Sequence, residues 1–144
     1  MINYEVIVMT RTEAREQVFI LIFEKIFRDE PVEVILEDAE LVRDLEPEEY
    51  IRRVFCGAVE KSEEIDGMIS SAAKGWSINR ISKTVLAAMR LCIYEMLYCD
   101  DIPVSVSINE TIEIIKKYAT KEDATFANGI LGTISRNNLN GEKA

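Results

Sequence analysis

Histidine is absent from the 144 residues. Its absence excludes imidazole general bases, Ser-His and Cys-His nucleophilic pairs, and histidine-containing zinc sites. Glycine (6) and proline (3) are scarce, which argues against turn-rich β architectures, collagen-like repeats and disorder. The three cysteines, Cys56, Cys92 and Cys99, form no Cys-x-x-Cys pair. Each falls within an apolar helical pattern, the setting of buried free thiols in a reducing compartment. The longest strongly apolar run, Val18 to Phe23, has six residues, far short of the roughly 20 that span a bilayer. The opening Met1 to Val8 lacks the basic start and long apolar stretch of a secretory signal. These absences predict a cytoplasmic protein with no membrane contact, cofactor or metal.

What is present points to one helical domain: 48% of the residues are hydrophobic and 30% charged, enough for a single core and too little chain for two ordinary domains. The net charge of −9 is unevenly placed. Residues 29 to 66 carry fourteen acids against four bases, whereas Gly67 to Tyr94 carries Lys74, Arg80, Lys83 and Arg90 and no acid. A chain patterned this way can turn a positive face to phosphate while its acidic block faces elsewhere. Four bases in such a stretch also fit an ordinary solvated surface.

Thr10 to Glu13 has the T-x-x-E form of a capping box, so a helix is predicted from Arg11. Ala14, Val18, Leu21, Ile22 and Ile26 make its apolar stripe, widened by Phe19, Phe23 and Phe27. Met9 is the expected start of the domain, and residues 1–8 an N-terminal extension. Asp29 and Pro31 open a second helix through about Val42. Pro47 opens a third, in which Tyr50, Ile51, Val54, Phe55, Ala58, Val59, Ile65, Met68, Ile69 and Ala72 recur at helical spacing until Lys74-Gly75 stops it. Ser77 is the next expected cap, with Trp76 packed on Ile81 as a hydrophobic staple and a break near Ser82 before the apolar run Val85 to Leu97. Asp100 to Pro103 is a turn into a helix carrying Val106, Ile108, Ile112, Ile115 and Tyr118. Thr120 to Asp123 starts the last helix, lined by Phe126, Ile130, Leu131 and Ile134, and Asn137 to Ala144 reads as a frayed tail. The count is six main helices, or seven if the short piece before Ser82 stands alone. The adjacent carboxylates Glu48-Glu49 and Asp100-Asp101 fall at helix starts or turns and suit helix dipoles better than acid/base catalysis.

Four segments in order resemble the NusB family of transcription antitermination factors. They are Arg11-Thr12-Glu13-Ala14-Arg15-Glu16, like the family's R-x-x-A-R-E opening; Arg90-Leu91-Cys92-Ile93-Tyr94-Glu95-Met96-Leu97; Asp101-Ile102-Pro103-Val104 with Ile108-Asn109-Glu110; and Phe126-Ala127-Asn128-Gly129-Ile130-Leu131. The resemblance covers about residues 9 to 136. It implies an all-α fold of two packed helical bundles that binds the boxA element of nascent RNA together with a small-subunit ribosomal protein (NusE). In the family this happens within a transcription elongation complex holding other Nus factors, and it promotes ribosomal RNA transcription without catalysis.

Carried over residue by residue, the resemblance implies RNA contacts at Arg11 and Arg15, at Lys117 and Tyr118, and at Asp123 and Phe126. It implies a partner surface at Phe23, Val85 and Phe126. Arginines at i and i+4 share a helix face and offer planar donor forks to phosphates and base edges, but by pattern alone Arg11 and Arg15 pair with Glu13, Glu16 or the acidic block. Tyr118 fits base stacking and core packing equally. Asn109 and Glu110 fit capping or bracing of the turn at Asp101 to Pro103. Three departures stand out. Arg11 is alone where many relatives have three or more arginines, which predicts weaker RNA affinity. Phe23 replaces a frequent Tyr. Val85 and Leu86 replace an acid and a base, so the partner contact there would be remade with apolar area. The rival reading is a scaffold of the same fold with weak or no RNA binding. A third, RNA methyl transfer, lacks a glycine-rich cofactor loop.

Overall fold

The computed structural model describes residues 9–43 and 49–139. The expected extension 1–8, the helix opening at Pro47, Glu48 and residues 140–144 of the expected tail lie outside them. The described residues form seven α-helices and one 3-10 turn, with no strand.

The Thr10 hydroxyl accepts the Glu13 N–H at 3.1 Å and starts α1 (Arg11–Ile26). The box is half made, because the Glu13 carboxylate accepts from the Thr10 hydroxyl rather than from its backbone N–H. Pro31 precedes α2 (Val32–Arg43), its carbonyl accepting from Val34 and Ile35. The expected single third helix is two, α3 (Glu49–Glu60) and α4 (Ser62–Ala72). Lys61 leaves helical geometry (φ −94°, ψ 13°), while the bonds Lys61 N–H to Gly57 and Ile65 N–H to Lys61 carry the chain across the bend. The seventh helix therefore comes from this bend. The piece before Ser82 is only the 3-10 turn Ile78–Arg80. Gly75, at φ +83°, makes the turn after α4 in the left-handed region that glycine tolerates.

The cap expected at Ser77 belongs to Ser82, whose hydroxyl accepts the Val85 N–H at 3.2 Å and starts α5 (Lys83–Tyr98); Ser77 makes no side-chain cap bond. Pro103 precedes α6 (Val104–Tyr118). A complete reciprocal box of Thr120 and Asp123 starts α7 (Lys121–Asn138), which takes in Asn137 and Asn138 from the expected tail.

Helix α5 is buried on nearly every side from Val85 to Met96, the mark of a helix inside the core rather than on it. It packs on α1 and α3 on one side and on α4, α6 and α7 on the other, so two bundles, α1 to α3 and α4 to α7, share it. Gly57 lets α3 approach α5, since a Cβ there would overlap the Tyr94 ring. Cys92 and Cys99 are buried and Cys56 half-buried, and none of them is in a disulfide; burial pushes the Cys56 thiol up. No described helix is long and apolar enough to cross a membrane.

Candidate nucleic-acid interface

The first turns of α1 are held from three sides. Toward α3, the exposed Arg11 guanidinium lies 4.1 Å from the centroid of the Tyr50 ring, a cation–π contact. Toward α5, Arg15 is 1% exposed. Its Nε donates to both oxygens of Glu95 at 3.0 and 3.1 Å, and the Tyr50 hydroxyl donates to the same carboxylate at 2.6 Å. Arg15 is therefore a core residue, contrary to the RNA contact carried over for it. The reason is that α5 buries Glu95 completely, and a buried carboxylate needs a charged donor. Burial is the largest influence and works against the Arg15 charge, but the bond to Glu95 together with the negative field of Glu95, Tyr50 and Glu110 more than offsets it and holds its pKa above the usual value. Burial first, then Glu95, keep the Tyr50 hydroxyl protonated well above the usual tyrosine range. Arg15 and Glu95 come from two of the four recognisable segments, which thus meet in one contact.

Toward α6, the Thr12 hydroxyl donates to Glu110 at 2.9 Å, so Glu110 braces α1 and not the turn at Asp101 to Pro103. One turn on, the Glu16 carboxylate accepts from Lys117 Nζ at 2.6 Å and from the Tyr118 hydroxyl. Those two bonds hold Glu16 below the usual carboxylate range, and the bond to Glu16 raises Lys117. Tyr118 is 43% exposed, which decides against the core alternative for it. Its ring lies 5.2 Å from Phe19, which continues to Phe23 at 6.5 Å and Phe27 at 5.1 Å beyond that. Of the expected residues, Lys117, Tyr118 and Phe23 share this aromatic row.

Asp123, Phe126 and Val85 meet elsewhere, around a groove of about 270 Å³ that Trp76, Arg80, Ile81, Ser82 and Glu122 also line. The Asp123 carboxylate accepts the Thr120 N–H at 3.2 Å as the cap of α7. Val85 is 1% exposed, in the first turn of a helix that is buried on nearly every side from there to Met96, so it forms groove wall and not an exposed partner contact. Trp76 packs on Phe126, ring centroids 5.5 Å apart, and lines the same groove as Ile81, its expected staple partner. Arg90 leaves the expected positive face through a two-pronged bond to Asp66 at 2.8 and 2.7 Å. Lys74, Arg80 and Lys83 remain of it.

Sequence reasoning missed Glu16, Tyr50 and Glu95 as parts of the site. The residue spacing placed Glu16 on the helix face of Thr12, but nothing local tied it to the end of α6, 101 residues on. Nor did composition show that a lone acid in an apolar run, Glu95, had to be matched by a base elsewhere.

The chain matches the NusB family over residues 12–136. It is 42% identical over 130 residues to the transcription antitermination protein NusB of Ruminiclostridium cellulolyticum, covering 90% of this chain and 88% of that one. The solved structure of T. maritima NusB superposes with a TM-score of 0.82 at 37% identity, over 91% of this chain and 94% of that one. A solved complex of antitermination factors NusB and NusE with double-stranded RNA shares the fold, with a TM-score of 0.79 at 24% identity over 88% of this chain and 96% of the matching chain.

Proposed function

The chain belongs to the NusB family, and we propose on that footing that it is a transcription antitermination factor. It binds boxA-type nascent RNA together with the small-subunit ribosomal protein NusE, as part of a cytoplasmic transcription elongation complex with other Nus factors, and promotes ribosomal RNA transcription. Its work is binding, without catalysis. The observation that carries the reading is the pair of sites flanking the first turns of α1: Arg11 on the α3 side, and exposed Lys117 and Tyr118 on the α6 side. Cations supply the phosphate term, and an exposed ring supplies a stacking platform for an unpaired base. With Arg15 in the core, this chain offers RNA one arginine at the start of α1, which predicts weak affinity of the protein alone, and the groove at Phe126 and Trp76 is the apolar surface offered to the ribosomal partner.

The thinned arginines and the net charge of −9 favour one rival, a scaffold that keeps the fold and the protein partner but not the RNA. Titrating labelled boxA-type RNA at low salt into the protein, and into variants Arg11→Ala and Lys117→Met, separates them. For an RNA-binding factor both variants weaken binding, and each flattens the salt dependence, Arg11→Ala by about 0.7 in slope for the phosphate it no longer neutralises and Lys117→Met by less, because Glu16 already holds part of that charge. Binding that ignores both substitutions supports the scaffold.

A further inference from the structure

The cation and ring offered to RNA on α6 are already engaged within the protein. Lys117 Nζ lies 2.6 Å from Glu16 Oε1 and 5.4 Å from the centroid of the Tyr118 ring, and the Tyr118 hydroxyl donates to the same Glu16 carboxylate. Lys117 is 61% exposed at its side chain and Glu16 23%, so the contact is reachable from solvent. Resting on the RNA-binding reading, we propose that Glu16 is an intramolecular competitor for RNA, its carboxylate occupying the ammonium and hydroxyl that a backbone phosphate would otherwise take. It thereby sets the affinity of this surface.

The chemistry is that of like charges contending for one donor set. An ammonium has three donors and can touch two anions, but a phosphate brought against Lys117 would stand beside the Glu16 carboxylate and be repelled by it. Lys117 must therefore swing from Glu16 to the phosphate. The same swing removes the ammonium from beside the Tyr118 ring and opens that ring to a base. Tyr118 does not need Glu16 to stay in place, because Phe19 supports it at 5.2 Å. Glu16 thus subtracts from binding more than it contributes by ordering the surface. It is a residue that sets affinity through Lys117, distinct from the RNA contacts themselves.

The test is a salt series of single-stranded boxA-type RNA binding to the full chain and to Glu16→Gln, Lys117→Met, the double variant, and Glu13→Gln as a control for net charge one turn away. A glutamine keeps an acceptor for the Tyr118 hydroxyl and removes the charge. Glu16→Gln is expected to tighten binding about threefold to fivefold, the usual scale of an exposed ion pair, and to steepen the salt slope by up to about 0.7. The gain should vanish in the double variant and exceed that of Glu13→Gln. Equal or weaker binding by Glu16→Gln overturns the proposal, as does a gain that Glu13→Gln matches or that survives Lys117→Met. RNA binding absent from every protein, the unaltered chain included, instead overturns the RNA reading and this proposal with it.

Discussion

Replacing Arg15 with alanine removes the base bonded to a carboxylate that is 0% exposed, while the Tyr50 hydroxyl stays on Glu95. Breaking a buried pair on one side strands a charge in the core, at about 3–5 kcal/mol. Domains of this size hold together by about 5–15 kcal/mol in all, so Arg15→Ala should lose a fifth or more of its stability. At roughly 3 °C per kcal/mol, its melting temperature should fall by about 10–15 °C. Urea titration followed by far-ultraviolet circular dichroism reads the loss directly. Removing the three side chains together is different in kind: Arg15→Met with Glu95→Leu and Tyr50→Phe leaves no buried charge of this contact behind and should recover most of the stability, since apolar replacements of buried ion groups are often neutral or favourable. Arg11→Ala, on the exposed side of the same helix, should change stability by about 0.5 kcal/mol or less. An Arg15→Ala protein within about 1 kcal/mol of its parent that has lost RNA binding would refute the buried role and restore Arg15 to the RNA surface.

Tyr50→Phe should cost about 1.5–3 kcal/mol through the lost bond to a charged carboxylate. Because folding raises the Tyr50 pKa, its contribution is complete below the unfolded value near 10 and declines as pH rises above it, by about 1.4 kcal/mol per pH unit; alkaline denaturation of Tyr50→Phe should lack that part. Gly57→Ala forces a Cβ into the Tyr94 ring and should destabilise by about 1–3 kcal/mol in chemical denaturation, as overpacking does. Val85→Asp puts a carboxylate in a 1% exposed position and should cost about 2–4 kcal/mol. Unchanged stability with weakened partner binding would instead make Val85 an exposed contact.

Most helix starts could be read from the chain because caps are local chemistry: Thr10, Pro31, Pro103 and Thr120 act within one turn of themselves. The bend at Lys61 was illegible because the apolar residues on both sides keep one register, and only the packing of α3 on α1 and of α4 on α7 demands a change of direction. The site divides in the same way. Charged and aromatic types marked Arg11, Lys117 and Tyr118, but helical spacing gives a shared face without saying whether it looks inward or outward. For Arg15 the answer depended on Glu95, 80 residues away. Val85 misled for the converse reason: an apolar residue at a position charged in relatives reads as surface until the neighbouring turn of α5 is seen to be enclosed.

Joint binding of RNA and a basic ribosomal protein to this acidic chain is open to a thermodynamic cycle. Calorimetry would measure boxA-type RNA affinity with and without NusE, and NusE affinity with and without RNA, at two salt concentrations. With fourteen acids between residues 29 and 66, the protein alone should hold RNA poorly at physiological salt. Docked NusE should tighten it by about 1–3 kcal/mol, with the reverse effect equal in size and both shrinking as salt rises. Equal RNA affinity with and without NusE would contradict joint binding and leave the scaffold in its place.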